Sequence, residues 1–203
     1  MLEAFFRNEQ RFFLTGGGAL AGFHLGHRET NDLELLTTAD NLEEGDSALR
    51  EAAASLGASI ENVRTSPEFR RRIVGRGREA VVVDLVRERS HQAYPEKPIV
   101  QGIRVDPPEE IFANKLCTLL SRAELRDLVD TRALEGAGFD LETALSIATR
   151  KDGGLTPGQL AWVLSEITIG DDARLPGGVS VTELRAYVAD LIERLSRRAF
   201  PRS

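Results

Sequence analysis

Apolar and polar positions divide the chain into two regimes. In the first half, short apolar runs alternate with glycine turns, and residues 12–14, 33–36, 59–64, 69–74, 79–86 and 99–105 are predicted strands. Between them, residues 18–25 predict a short helix and 47–56 a longer one ended by Gly57. From Asp106 onward only helical periodicity remains. Asp106-Pro107-Pro108-Glu109 offers an N-cap, a proline in the first turn and a capping-box acid, and Thr156-Pro157-Gly158-Gln159 and Ser180-Val181-Thr182-Glu183 repeat that logic. The last helix carries Leu184, Tyr187, Val188, Leu191, Ile192 and Leu195 as an amphipathic stripe that docks on the protein's own core. The pattern therefore predicts an α+β chain with a sheet domain over residues 1–105 and a helical domain over 106–203.

Composition narrows the class. Of 203 residues, 41% are hydrophobic and 29% charged, too apolar for a disordered chain. The richest apolar run, residues 80–83, stops at Asp84, so no membrane span is expected. The N-terminus has no basic stretch followed by an apolar one, which makes a cytoplasmic protein the expectation. A single cysteine, Cys117, excludes an internal disulfide framework, and its apolar helical setting reads as core. His24 and His27 lack a further ligand at zinc spacing and read as capping or surface groups, while Trp162 reads as a core anchor. The net charge of −6 argues against a general nucleic-acid coat. Against that average, Arg64, Arg70, Arg71, Arg72, Arg76 and Arg78 face one acid, Glu68. This cluster is either a charged edge strand or a patch for a polyanion.

Four features carry candidate chemistry. In Thr15-Gly16-Gly17-Gly18 a strand runs into a helix, which leaves backbone N–H groups open to an anion, although neither a Walker nor a dinucleotide spacing is present. Asp32-Leu33-Glu34-Leu35 alternates acid and apolar residues, so both carboxylates project from one strand face roughly 6–7 Å apart. Carboxylates so placed repel unless a cation lies between them, and divalent cations there would also clamp a triphosphate. Asp84 lies in an apolar run that reads as a central strand covered on both faces, where an ionised acid needs a partner or a metal. Lys115 and Arg122, seven residues apart, fall on nearly the same helix side, joined by Arg126 if the helix continues; they form a cationic wall or snorkel along the apolar edge. Asp127 and Asp130 read equally well as helix-surface pairs.

Two separated segments resemble the AbiEii/AbiGii toxin family of the polymerase-β-type nucleotidyltransferase superfamily. The first is Leu14-Thr15-Gly16-Gly17-Gly18-Ala19-Leu20 with Arg28-Glu29-Thr30-Asn31-Asp32-Leu33-Glu34-Leu35. The second is Pro108-Glu109-Glu110-Ile111-Phe112-Ala113-Asn114-Lys115-Leu116 with Arg122 and Arg126-Asp127-Leu128-Val129-Asp130. The resemblance covers residues 13–134 and implies a polymerase-β-like sheet domain followed by a helical domain. It also implies transfer of a nucleoside monophosphate from an NTP to an acceptor hydroxyl on RNA or protein, with Mg²⁺ or Mn²⁺, and an antitoxin partner. Carried over by position, Asp32, Glu34 and Asp84 hold the metal and Asp84 helps deprotonate the acceptor. Gly16, Gly17 and Gly18 approach the phosphates, which Lys115 and Arg122 neutralise. The family usually has Asp where Glu34 stands, and a serine or threonine where Gly18 stands. Two other readings follow from these departures and the shared motif plan: a degenerate fold that only binds nucleotide or protein, and a transferase acting on a small molecule such as an antibiotic.

Overall fold

The apolar runs of the first half assemble into a mixed five-stranded sheet in the computed structural model, which describes residues 1–200. The chain divides into two compact units, the first comprising residues 1–26, 30–89 and 94–107, the second residues 27–29, 90–93 and 108 onward.

In the first unit, helix α1 (Leu2–Asn8) leads into β1 (Phe13–Thr15). The chain then turns through α2 (Gly16–Ala19) and a π-helical segment, Leu20–Leu25, before β2 (Asp32–Thr37). Helix α3 (Leu42–Ser55) is followed by the meander β3 (Ser59–Ser66), β4 (Phe69–Arg76) and β5 (Glu79–Arg87). The strand order is β1-β2-β5-β4-β3, and β2 and β5 are its one parallel pair. Leu35, Val83 and Leu85 are buried on the sheet face that α3 covers, opposite Leu49, Ala52 and Ala53. Phe5, Phe6 and Phe12 close that core edge to face, with ring centroids 5.3 and 5.6 Å apart.

Two expectations shift in this unit. The predicted strand over 99–105 is a hairpin, β6 (Ile99–Val100) and β7 (Ile103–Arg104), because Gln101 and Gly102 both take positive φ. Helix α3 begins five residues before the predicted start, at Leu42. The acids that obscured its first turns are held by the sheet: Glu43 pairs with Arg70, and Asp46 with Arg72 at 2.7 Å. Arg70 and Arg72 are accordingly buried under α3, so two of the six clustered arginines belong to neither an edge strand nor an open basic patch. The edge strand on this side of the sheet is β3, whose side chains are mostly exposed.

The second unit is built from α4 (Pro108–Ser121), α5 (Leu125–Gly136), α6 (Leu141–Lys151), α7 (Pro157–Ser165) and α8 (Val181–Ala199). The expected caps form at α7, where the Thr156 side chain accepts from Gln159 N, and at α8, where Ser180 and Glu183 make a complete capping box. Leu184, Val188, Leu191 and Leu195 are buried along α8, and Ile111, Phe112, Leu116 and Leu119 along α4. Cys117 is half-buried. Trp162 is not a core anchor: α7 turns Leu160, Ala161 and Leu164 inward and leaves the indole 66% exposed. Among the described residues no helix is long and apolar enough to cross a membrane.

Candidate active site

The carboxylate face of the sheet follows from strand register. Side chains of paired residues on adjacent strands point the same way. Glu34 on β2 pairs with Asp84 on β5, which pairs with Arg71 on β4, which in turn pairs with Arg64 on β3. Glu34, Asp84, Arg71 and Arg64 therefore form one row across the sheet, on the face opposite α3, with Asp32 two residues from Glu34 along β2. Val82 and Val86, which flank Asp84 on this face, are only half-buried, so β5 is not enclosed on both sides within its unit, as its apolar sequence had suggested.

Charge alternates along the row. Arg71 donates from Nε to Asp84 Oδ1 at 2.8 Å and from Nη2 to Asp84 Oδ2 at 2.7 Å, a bidentate pair. That hydrogen bond, reinforced by the charges of Asp84, Asp32 and Glu34 against the opposing effect of burial, raises the Arg71 pKa above its ordinary value. The guanidinium thus feels all three acids. It also lies over the Phe69 ring, 5.6 Å from its centroid, and Arg64 lies over the same ring at 5.7 Å.

The glycine turn abuts this row. Gly16 has φ +60, and a Cβ there would collide with the Glu34 carboxylate, so the acid lies against bare backbone. At Gly18 a Cβ would lie 3.1 Å from Leu33 Cδ2 and 3.3 Å from the Asp32 carbonyl oxygen. A side chain there would need its neighbours to give by a few tenths of an ångström.

Beneath the turn lies a cluster that sequence reading missed. Asp106 does not serve simply as a helix cap. Its carboxylate accepts from Thr15 Oγ1 at 2.5 Å and pairs with Lys97 Nζ at 2.6 Å, and the Lys97 and Asp106 side chains are 1% and 0% exposed. Lys97 also sits over the Phe13 ring, 4.6 Å from its centroid. His24 Nε2 is 2.8 Å from the Asp106 backbone oxygen, so this histidine has an internal partner. No local pattern marks Lys97; it lies in an irregular segment between sheet and hairpin.

In the second unit the predicted cations meet buried acids. Helix α4 stops at Ser121, Ala123 takes φ 47, and α5 starts afresh at Leu125, so Lys115, Arg122 and Arg126 do not lie on one continuous helix. Lys115 Nζ lies 2.7 Å from Asp127 Oδ1 and 2.8 Å from Asp130 Oδ2. Arg122 Nε donates to Asp127 Oδ2 at 3.2 Å, and Arg126 pairs with Glu124. Asp130 is also bound by His27 at 2.7 Å and by Arg28 at 2.6 and 2.9 Å. Asp127 and Asp130 are fully buried, so they are not helix-surface pairs, and His27 is not a surface group. Burial works to raise the Asp130 pKa, but the hydrogen bonds from Arg28 and His27 and the Lys115 charge hold it well below the usual carboxylate range. Burial likewise opposes charge on Lys115, yet Asp130 and Asp127 raise its pKa.

The acids of the first unit are oxygen donors only, the set that a hard divalent cation such as Mg²⁺ takes. Among the described residues no three acids, histidines or cysteines are grouped as a ready metal cage. On the carboxylate row the Arg71 cation takes both oxygens of Asp84. The donors therefore fit Mg²⁺ in kind, with an internal cation in competition for them.

The AbiEii family model, described as a nucleotidyl transferase toxin of a type IV toxin–antitoxin system, matches residues 2–199. No curated protein matches. Among solved structures, the chain is similar to MenT4, a nucleotidyltransferase toxin of Mycobacterium tuberculosis, at 17% identity and TM-score 0.61, covering 100% of this chain and 81% of that one. It is similar to JHP933 of Helicobacter pylori at 17% identity and TM-score 0.57, covering 98% and 90%. A further Helicobacter pylori crystal structure aligns at 18% identity and TM-score 0.60, covering 97% and 91%. These likenesses identify the fold as polymerase-β-like.

Proposed function

Because the chain belongs to the AbiEii nucleotidyltransferase toxin family, we propose that it transfers a nucleoside monophosphate from an NTP to a hydroxyl of RNA or protein, on the carboxylate row of β2 and β5. The observation that carries this reading is the register of Glu34 beside Asp84, with Asp32 on the same face and the Gly16 backbone against Glu34.

In the transfer, the acceptor oxygen bonds to the α-phosphorus, the bond to the bridging oxygen of the β-phosphate breaks, and pyrophosphate leaves. Asp32, Glu34 and Asp84 would hold Mg²⁺ or Mn²⁺, which supplies charge neutralisation at the phosphates when bound. Asp84 accepts the hydroxyl proton of the acceptor. The turn from Gly16 to Gly18 lets backbone N–H groups approach the phosphate chain without side-chain obstruction. Lys115 and Arg122 are the cations that the family resemblance assigns to phosphate neutralisation; within their own unit both pair with Asp127, and Lys115 also with Asp130. An antitoxin partner follows from the toxin–antitoxin family, and a cytoplasmic setting suits it. We propose a sheet domain over residues 1–105 and a helical domain over 106–203, a boundary two residues before the one at which the compact units part.

Incubation with each labelled NTP, Mg²⁺ or Mn²⁺ and a total RNA and protein mixture tests the reading. Label transfer lost in Asp32→Asn with an unchanged melting profile supports it; transfer retained in that variant overturns it. A second reading, a nucleotide-binding module without turnover, is favoured by the bidentate Arg71–Asp84 pair. Calorimetric NTP binding with no transfer to any acceptor would select it.

A further inference from the structure

Three consecutive arginines on β4 have two fates. Arg70 and Arg72 point under α3, where their side chains are 8% and 3% exposed and tied to Glu43 and Asp46. Arg71, between them, necessarily points to the other face, because side chains alternate along a strand. There its side chain is 47% exposed, while that of its partner Asp84 is 11% exposed. The acid is held in place by the strand it belongs to; the guanidinium sits on a long arm that reaches solvent. Phe69, two residues along the same strand face, gives that arm a second contact.

We propose that Arg71 is a displaceable counter-cation. It balances the carboxylates of β2 and β5 while no divalent cation is bound, and it yields Asp84 when one enters. The inference rests on the carboxylate row being the metal-holding site. Glu34 and Asp84 stand at paired positions on neighbouring strands, where like charges repel. The Arg71 guanidinium, paired with Asp84 and felt by Asp32 and Glu34, offsets that repulsion. The fork occupies the lone pairs of both Asp84 oxygens that face it, so a metal ion entering on that side has to displace it. Released, it keeps its place over Phe69 and turns its donors toward the anionic nucleotide. Arg71 is thus a positioning residue that acts through Asp84, and it makes metal binding an exchange of one cation for another.

Direct titration with Mn²⁺ alone, followed by the electron paramagnetic resonance signal of free Mn²⁺, tests this without turnover. Wild type, Arg71→Ala, Arg71→Lys and Asp84→Asn are compared, each with its melting profile recorded. Arg71→Ala should bind Mn²⁺ about fivefold more tightly than wild type, the equivalent of about 1 kcal/mol for a half-exposed pair. Arg71→Lys, which keeps the charge but not the fork, should fall between the two. Equal affinity in wild type and Arg71→Ala, with binding lost in Asp84→Asn, overturns the counter-cation and leaves the metal site standing. Affinity unchanged across all four proteins, or no binding by any, overturns the metal site and the counter-cation together.

Discussion

Lys97 and Asp106 form a buried ion pair directly beneath the glycine turn, Nζ to Oδ1 at 2.6 Å. Thr15, the residue before Gly16, hydrogen-bonds to the other oxygen of the same carboxylate. The turn that faces the carboxylate row is thereby pinned from below by Asp106, 91 positions away in sequence from Thr15.

Removing one member of such a pair leaves the other charged and buried. Asp106→Ala should therefore cost about 3–5 kcal/mol, read as a lower midpoint in urea unfolding. Arg71→Ala, which removes the half-exposed member of the Arg71–Asp84 pair, should shift the midpoint less.

Gly16 should tolerate no side chain. Its φ of +60 strains any other residue by about 1–3 kcal/mol, and a methyl group would push the Glu34 carboxylate out of the row. Gly16→Ala should lose label transfer more severely than Gly22→Ala, where a Cβ meets nothing within 4 Å. Parallel transfer assays on the two purified variants compare them directly.

The Asp130 cluster predicts a pH dependence. Its carboxyl is held below the unfolded value of about 4, so its contribution is fully present above that pH and fades as pH falls toward the depressed folded value. The Lys115 pKa is raised, so its contribution is complete below about pH 10 and is lost only as pH rises through the folded value. Urea midpoints should therefore fall in acid as Asp130 takes up its proton. Asp130→Asn should be less stable at neutral pH and show a shallower acid limb.

On α7, neighbouring positions should behave oppositely. Trp162→Ala should change stability by less than about 0.5 kcal/mol, because the ring is exposed. Leu160→Ala should cost about 2–5 kcal/mol, because that side chain is fully buried. Thermal melts of the two variants decide it.

Periodicity and capping chemistry by themselves determined the five strands of the sheet, the helical second half and the caps at Thr156 and Ser180, because these are local regularities of spacing. The same locality placed Asp32 and Glu34 on one strand face and marked Asp84 as an acid in an apolar run. It also supplied both family signatures. Only tertiary structure decided the partners. Register across β2, β5 and β4 set Glu34, Asp84 and Arg71 in one row, and the parallel pairing of β2 with β5, strands distant in sequence, leaves no trace in either strand alone. The break at Ala123 returned Lys115 and Arg122 to buried aspartates, and the fold brought Lys97 to Asp106 from a segment without pattern. A buried charge must find an opposite charge or a hydrogen bond wherever the fold can supply one, and that supplier can lie anywhere along the chain.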